Sequence, residues 1–487
     1  MWVFFSTHII TGLTIVHFIV TFAICAGMIH SKLDPIRTTS WIIILFFLPG
    51  IGLILYIFFG QNYRKNKIFS RKTLKDLKYI DRMINQQLYM VRNNEVFEYY
   101  PDKHKFKKII TLLLNNSKAL LTEYNKIDVY HDGENTFKNI KEALLAAEDS
   151  IHLEFYIIDD DNIGNEIKDI LIQKAKEGIE VRVIYDDVGS WDLPKKYINE
   201  LKAAGVNIYP FMRVAFPVFT SKINYRNHRK IIVIDGKVGF MGGINIADRY
   251  IDGGIFGHWR DTHLRLEGEA VQMLQVIFLV DWYFVSKEIL LRKRKKYFPG
   301  HFVDSKHLVQ IATSGPDSDW ASIMQAYFTA INNAKHHIYI NTPYFTPNES
   351  ILTAIKTASL SGIDVRLLLP HKSDSRLVYW STLSYLTELM EAGVKVYLYQ
   401  KGFNHAKLIC IDGMIAAVGS ANIDVRSFEH NFEITALIYD EAITKNIEQQ
   451  FHKDLRNSKQ INLKEWNKRP FTETFKEGLA RLFSPLL

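Results

Sequence analysis

One pattern, H-x-K-x4-D-x6-G-[GS]-x-N, occurs twice in this chain. The first copy is His228-Arg-Lys230, Asp235 and Gly242-Gly-Ile-Asn245; the second, 177 residues on, is His405-Ala-Lys407, Asp412 and Gly419-Ser-Ala-Asn422. No other feature constrains the fold as strongly. A repeated unit of this length predicts two halves that present the same elements in the same order.

The spacing within the unit reads as a β-hairpin. His and Lys at i and i+2 share one face of a strand, because side chains alternate with period two. The runs that follow, Ile231-Ile-Val-Ile234 and Leu408-Ile-Cys-Ile411, are rich in β-branched residues and end in Asp235-Gly236 and Asp412-Gly413, a tight-turn signature. The returning strands bring Gly-[Gly/Ser]-x-Asn back beside the His and Lys. Small residues there would let backbone amides approach a phosphate, with Asn245 and Asn422 as further donors. Asp235 and Asp412 remain open between turn residues and members of the reactive set, since an offset of seven does not place them on the His/Lys face.

The duplication extends beyond the motif. Ser150–Tyr156 aligns with His337–Pro343, Gly178–Arg182 with Gly362–Arg366, and Ala204–Tyr209 with Ala392–Tyr397, at offsets of 187, 184 and 188. Amphipathic stretches such as Asn165–Lys176 and Ser350–Ala358 lie between these segments, so strand and helix alternate and each half is predicted to be an α/β sandwich. The first half carries an extra segment, Met212–Arg226, whose Val214-Ala-Phe-Pro-Val-Phe219 reads either as a buried loop or as a lip for an acyl chain.

At 487 residues and 47% hydrophobic the chain can build two cores. Its first 60 residues differ from the rest. Ile9–Met28 and Trp41–Phe59 contain no Asp, Glu, Lys or Arg, and at ~1.5 Å per residue each spans about 30 Å, the hydrocarbon thickness of a bilayer. Residues 61–80 hold seven cations, Arg64 to Lys78, against Asp76, whereas the turn between the runs has Lys32 and Arg37 against Asp34. The excess of positive charge places the body of the protein on the cytoplasmic side. A second basic cluster, Arg292–Lys296, lies where the halves join; both clusters suit anionic headgroups. Cys25 and Cys410 form no disulfide framework, and neither a zinc-spaced ligand set nor a phosphate-binding P-loop occurs, so no metal and no cofactor is expected.

Asn227-His-Arg-Lys-Ile-Ile-Val-Ile-Asp235, Gly242–Asn245, Thr342-Pro-Tyr-Phe-Thr-Pro347 and Ser484-Pro-Leu-Leu487 resemble the phospholipase D superfamily and, within it, the bacterial cardiolipin synthases. Asn348 departs from that pattern, which has Asp there. The resemblance implies two fused phospholipase D-like α/β sandwich domains related by a pseudo-twofold axis, preceded by a two-helix transmembrane hairpin. The divisions are residues 1–60 for the hairpin, 61–105 for a basic juxtamembrane linker, and 106–300 and 301–487 for the two domains. It implies a catalytic set of His228, Lys230, Asp235, His405, Lys407 and Asp412, with His228 as nucleophile and His405 as general acid. Asn245 and Asn422 would bind the phosphate. The residues themselves add a downstream carboxylate in each half, Asp261 and Glu433, which reads either as the group that orients a histidine or as an ordinary strand-entry carboxylate. The implied reaction transfers a phosphatidyl group from one phosphatidylglycerol to another at the cell membrane, without nucleic acid. A phospholipase D-type lipid hydrolase would use the same motifs.

Overall fold

The computed structural model describes residues 2–30, 35–56, 78–214, 224–290 and 294–486. Parts of several sequence expectations therefore fall outside the described residues: residues 31–34 of the turn between the apolar runs, residues 57–77 of the second apolar run and basic linker, residues 215–223 of the extra segment, and Arg292 and Lys293 of the second basic cluster. The chain forms two units, Met1–Phe69 with Ala215–Ile223, and Ser70–Val214 with Asn224–Leu487.

The larger unit contains two sheets of matching design. In the seven-stranded sheet the order is Asn125–Tyr130, His263–Gly268, Val238–Gly242, Ile231–Ile234, Ser150–Phe155, Glu180–Asp186 and Asn207–Phe211. The nine-stranded sheet repeats it as Val309–Ser314, Glu433–Ile438, Ile415–Gly419, Leu408–Ile411, His337–Asn341, Asp364–Pro370 and Lys395–Tyr399. Leu121–Thr122 and Ser458–Gln460 extend its two edges. In each sheet three strands are parallel and the motif hairpin is antiparallel. Every residue of Ile231–Ile234 and Leu408–Ile411 is buried, as continuous apolar runs covered on both faces should be. Helices such as Asn162–Lys176 and Glu349–Leu360 cover the sheets; Asn348 caps the latter by accepting the Ile351 N–H at 3.1 Å, a task its side chain performs as Asp would.

The two Asp-Gly turns form as the sequence predicts. Asp235 and Gly236 have φ of 54° and 63°, Asp412 and Gly413 of 54° and 65°, and the turns close through Lys237 N–H to Ile234 C=O and Met414 N–H to Ile411 C=O. Of the two readings left open for Asp235 and Asp412, turn residue or member of the reactive set, their side-chain contacts support the first. Asp235 accepts the N–H groups of Glu148, Asp149 and Ser150 at 2.9, 2.7 and 2.8 Å; Asp412 accepts those of Lys335, His336 and His337 at 2.8, 2.7 and 2.9 Å. Each carboxylate clamps the backbone that leads into the neighbouring central strand, at the opposite end of the hairpin from its histidine.

In the smaller unit the backbone is helical over Trp2–His30, Pro35–Phe47 and Ile51–Leu55. Among the described residues no helix is long and apolar enough to cross a membrane. The side chains of Trp2–His30 are described from Thr11 onward, Leu13 excepted. Within the second apolar run the helix is interrupted: Pro49 lacks an N–H and Gly50 takes φ 79°, between the helices Pro35–Phe47 and Ile51–Leu55. Gly52 is packed so closely on Ile44 that a Cβ would lie 2.5 Å from its carbonyl oxygen.

Candidate active site

Each histidine reaches its position on a short extended stretch that docks on the other half. His228 N–H donates to Phe432 C=O at 2.9 Å, and Phe432 N–H to Arg226 C=O at 2.8 Å. In mirror fashion Gly402–Asn404 pairs in parallel with His258–Arg260, and His405 N–H donates to Arg260 C=O at 2.7 Å. Phe432 precedes Glu433 and Arg260 precedes Asp261, so each docking contact sets a histidine beside a carboxylate of the opposite half. His228 Nδ1 lies 3.0 and 3.1 Å from the Glu433 carboxylate oxygens, and His405 Nδ1 lies 2.6 Å from Asp261 Oδ2.

Each histidine meets the carboxylate of the opposite half, not the one downstream in its own half. The reason is sheet order. In both sheets one strand separates the motif strand from the strand that begins near the carboxylate, and two strand spacings amount to about 10 Å. The exchange across the pseudo-twofold closes that gap.

The Gly-[Gly/Ser] element also serves a different end from the one its small residues suggest. Gly243 N–H donates to Thr262 C=O and Ser420 N–H to Ile434 C=O, so these amides are spent within the sheets. A Cβ on Gly243 would stand 2.1 Å from Asp261 Oδ1. Glycine is needed there because the carboxylate passes against it. Ser420 occupies the corresponding place in the second half and donates its hydroxyl to Glu433.

Lys230 and Lys407 lie beneath their histidines, each Nζ donating to the carbonyl two residues back, His228 C=O at 2.6 Å and His405 C=O. Lys407 Nζ is also 3.0 Å from His405 Nδ1. Asn245 bridges the Ile157 N–H at 3.2 Å and the Tyr250 hydroxyl at 2.7 Å; Asn422 is buried and hydrogen-bonds Asp424. Asn245 is thus linked to His405 through Tyr250, while the Asn422 side chain is engaged with Asp424. Two residues that sequence reasoning missed complete the site. The Tyr156 ring lies edge-on to His228 at 4.8 Å with Lys230 Nζ over it at 5.3 Å, and the Tyr250 hydroxyl lies 3.4 Å from His405 Nδ1. Tyr156 ends an aligned segment of the repeat, a usable signal; Tyr250 lies on the helix Arg249–Asp252, five residues after Asn245, where the second half has Ser427, so the repeat itself does not mark it.

Burial dominates the electrostatics. It pushes both imidazoles down to about 4, against the upward pull of Glu433 on His228 and of Asp261 on His405. It lowers Lys407 to about 8 and Lys230 well below the ordinary lysine range. Burial alone would raise Asp261 and Glu433, but Lys407 and His405 at the former, and His228 and Lys230 at the latter, hold both below the usual carboxylate range. Two carboxylates, two histidines and two lysines therefore form one charge-balanced cluster. No group of three or more His, Cys, Asp or Glu side chains placed to hold a metal ion occurs among the described residues.

The sequence pattern of the cardiolipin synthase, PLD-like domain matches residues 140–282 and 327–455, one stretch for each sheet, and that of the phospholipase D-nuclease N-terminal region matches residues 16–61. The chain is 44% identical over 458 residues to cardiolipin synthase 2 of Bacillus anthracis, covering 93% of this chain and 87% of the relative. The chain belongs to the cardiolipin synthase family. Other members alike over most of their length are the major cardiolipin synthase of Bacillus subtilis, 42% identical over 93% of this chain and 94% of its own, and the cardiolipin synthase of Oceanobacillus iheyensis, 40% identical over 99% of both. Among solved structures, a phosphatidylserine synthase of Haemophilus influenzae superposes with a TM-score of 0.59 at 16% identity, over 79% of this chain and all of that one. At that identity the likeness concerns the fold alone; the duplicated phospholipase D-like character of this cardiolipin synthase family member rests on the two matched stretches.

Proposed function

We propose that this chain makes cardiolipin and glycerol from two molecules of phosphatidylglycerol through a phosphatidyl-histidine intermediate. The observation that carries the reading is the crossed pairing. With Nδ1 of both imidazoles bound to carboxylates, Nε2 of each is the nitrogen left for chemistry, and the two are supplied by opposite halves to one cluster.

His228 Nε2 attacks phosphorus, the bond from phosphorus to the departing glycerol oxygen breaks, and His405 gives that oxygen its proton. Neutral His405 then takes the proton from the terminal hydroxyl of the second phosphatidylglycerol, whose oxygen displaces His228 from phosphorus. One phosphodiester replaces another, so no nucleotide drives the exchange. Lys230 and Lys407 stabilise the charge that grows on the equatorial oxygens, in a site buried enough to make each cation count. Burial favours the neutral form of both imidazoles in the free protein; the anionic phosphodiester raises the affinity of His405 for a proton, so its Nε2 takes one from solvent as the substrate arrives and passes it to the departing oxygen.

The domain division given by sequence is part of the proposal, as is anchorage by residues 1–60 as a transmembrane hairpin with the catalytic halves on the cytoplasmic side. The two uncharged runs and the match of residues 16–61 to an N-terminal family region support the anchor. Purified protein given phosphatidylglycerol alone should yield cardiolipin and glycerol in equal amounts. Phosphatidic acid as the main product would instead make it a lipid hydrolase.

A further inference from the structure

The helix Phe471–Leu482 is built the wrong way round for a helix that faces water. Phe471, Phe475, Leu479 and Leu482 are 78%, 54%, 47% and 74% exposed, and at 3.6 residues per turn they share an arc of about 80°. The opposite side, which is buried, consists of Ala480 at 1% and Glu477 at 4% exposure, the latter held by a two-pronged ion pair from Arg469. Large apolar side chains thus lie outward while a carboxylate lies inward.

The helix is fixed to the active-site end of the second sheet. Ser484 Oγ meets Ser381 Oγ at 2.9 Å, and Arg481 reaches Ser384 C=O at 3.2 Å, both on the helix Arg376–Ser384. That helix follows Asp364–Pro370, a strand parallel to Lys395–Tyr399, after which the chain turns into Gly402–Asn404 and His405. Thr382 of the same helix accepts the Phe345 N–H at 3.2 Å, and Phe345 pairs with Ile423, the neighbour of Asn422. The apolar stripe therefore rides on the elements that border the second motif.

We infer that Phe471–Leu482 is an interfacial helix that lies flat on an anionic lipid surface, its Phe and Leu side chains entering the headgroup boundary and holding the active-site end of the second domain against the bilayer. The inference rests on the reading of a bilayer phospholipid as substrate, which must reach the histidines from a membrane. Charge favours a lipid partner over a second copy of the chain. Both carboxylates of the helix are neutralised, Glu477 by Arg469 and Glu473 by Lys476, while Lys464 and Lys468 stand exposed on the approach to it. Helices with this division of faces bind at the water–acyl boundary.

The test uses the full-length chain with Cys25 and Cys410 replaced by Ala, reconstituted in vesicles of phosphatidylglycerol and phosphatidylcholine. An environment-sensitive label is placed at Phe475→Cys or, for comparison, at Lys445→Cys beside the Asp412-Gly413 turn. Nitroxide on the lipid acyl chains should quench the label at 475 at least about twofold and leave that at 445 unchanged. No quenching at 475, or equal quenching at both sites, overturns the inference; emission that shifts with protein density and ignores the nitroxide assigns the stripe to a second copy instead. Separately, the double variant Phe475→Ser, Leu479→Ser should lose about fivefold or more of its cardiolipin output in vesicles while converting short-chain, water-dispersed phosphatidylglycerol at the unaltered rate. Equal loss on both substrates would make the stripe a folding feature and overturn the inference. Quenching at 475 in a protein that makes no cardiolipin would leave the helix assignment standing and remove the proposed reaction.

Discussion

His228 and Glu433, 205 positions apart in the chain, meet Nδ1 to Oε1 at 3.0 Å, and the contact joins the two halves at the reacting nitrogen's own ring. Glu433→Gln should preserve the fold yet lower turnover by about 10²-fold or more, because an amide can hold the ring in the wrong tautomer and cannot balance a charged imidazole. Asp261→Asn should do the same to His405. Normal melting temperatures with lost turnover are the expected pair of measurements; near-normal turnover in either variant would remove the orienting role.

The division of labour between histidines is open to direct observation. A lipid analogue with a good leaving group should still phosphorylate His405→Ala and leave a stable adduct on His228, located by mass spectrometry after digestion. An adduct on His405 in His228→Ala would reverse the assignment.

Gly243→Ala should cost more activity than its size suggests. The added methyl would collide with Asp261 Oδ1 and must push the carboxylate away from His405. Turnover is expected to fall by about 10²-fold or more, whereas Ser420→Gly, which removes a hydrogen bond to Glu433 and adds no clash, should cost about 0.5–1.5 kcal/mol, roughly tenfold at most. Steady-state rates of the two variants, measured side by side, check the order.

Asp235→Ala and Asp412→Ala should behave as stability mutants. Each strips three backbone N–H groups of their acceptor, an expected loss of about 1–3 kcal/mol or more. Denaturant melts should report the loss, and turnover per folded molecule should survive at temperatures where the variant remains native. Loss of turnover without loss of stability would return these residues to the reactive set.

Stability should fall as the solution is acidified from about pH 6.5 to about 4. Burial holds His228 and His405 at about 4, below the value of about 6.5 for an unfolded histidine, so between those limits the unfolded chain binds the additional protons and unfolding is favoured. The contribution is fully present above the unfolded value and is lost through that window. Replacing both residues by Asn should flatten the slope of melting temperature against pH there; an unchanged slope would mean that neither imidazole is held neutral by the fold.

The strands and turns were legible because local rules wrote them. Ile231–Ile234 and Leu408–Ile411 are β-branched runs ended by Asp-Gly, and repetition gave each reading a second vote. The crossing of Asp261 and Glu433 was not legible, since separation along the chain says nothing about which half a side chain faces once two sheets are joined. The same holds for Gly243 and Ser420: smallness shows in sequence, but only the packed structure says that it makes room for a carboxylate and not for a phosphate. Asp235 and Asp412 stayed ambiguous because a turn residue that also clamps three amides and a catalytic acid leave the same letter in a motif.

The crossed couples carry a consequence for descent. A single half brings a histidine and a carboxylate that do not meet, so an ancestor with one motif would have needed a second, identical molecule to finish either couple, and any change in one would have appeared in both. In one chain that constraint is absent. Asp261 beside Gly243 and Glu433 beside Ser420 are two different solutions to the same contact, so the surroundings of the two histidines can differ, as the proposed split between nucleophile and proton carrier requires.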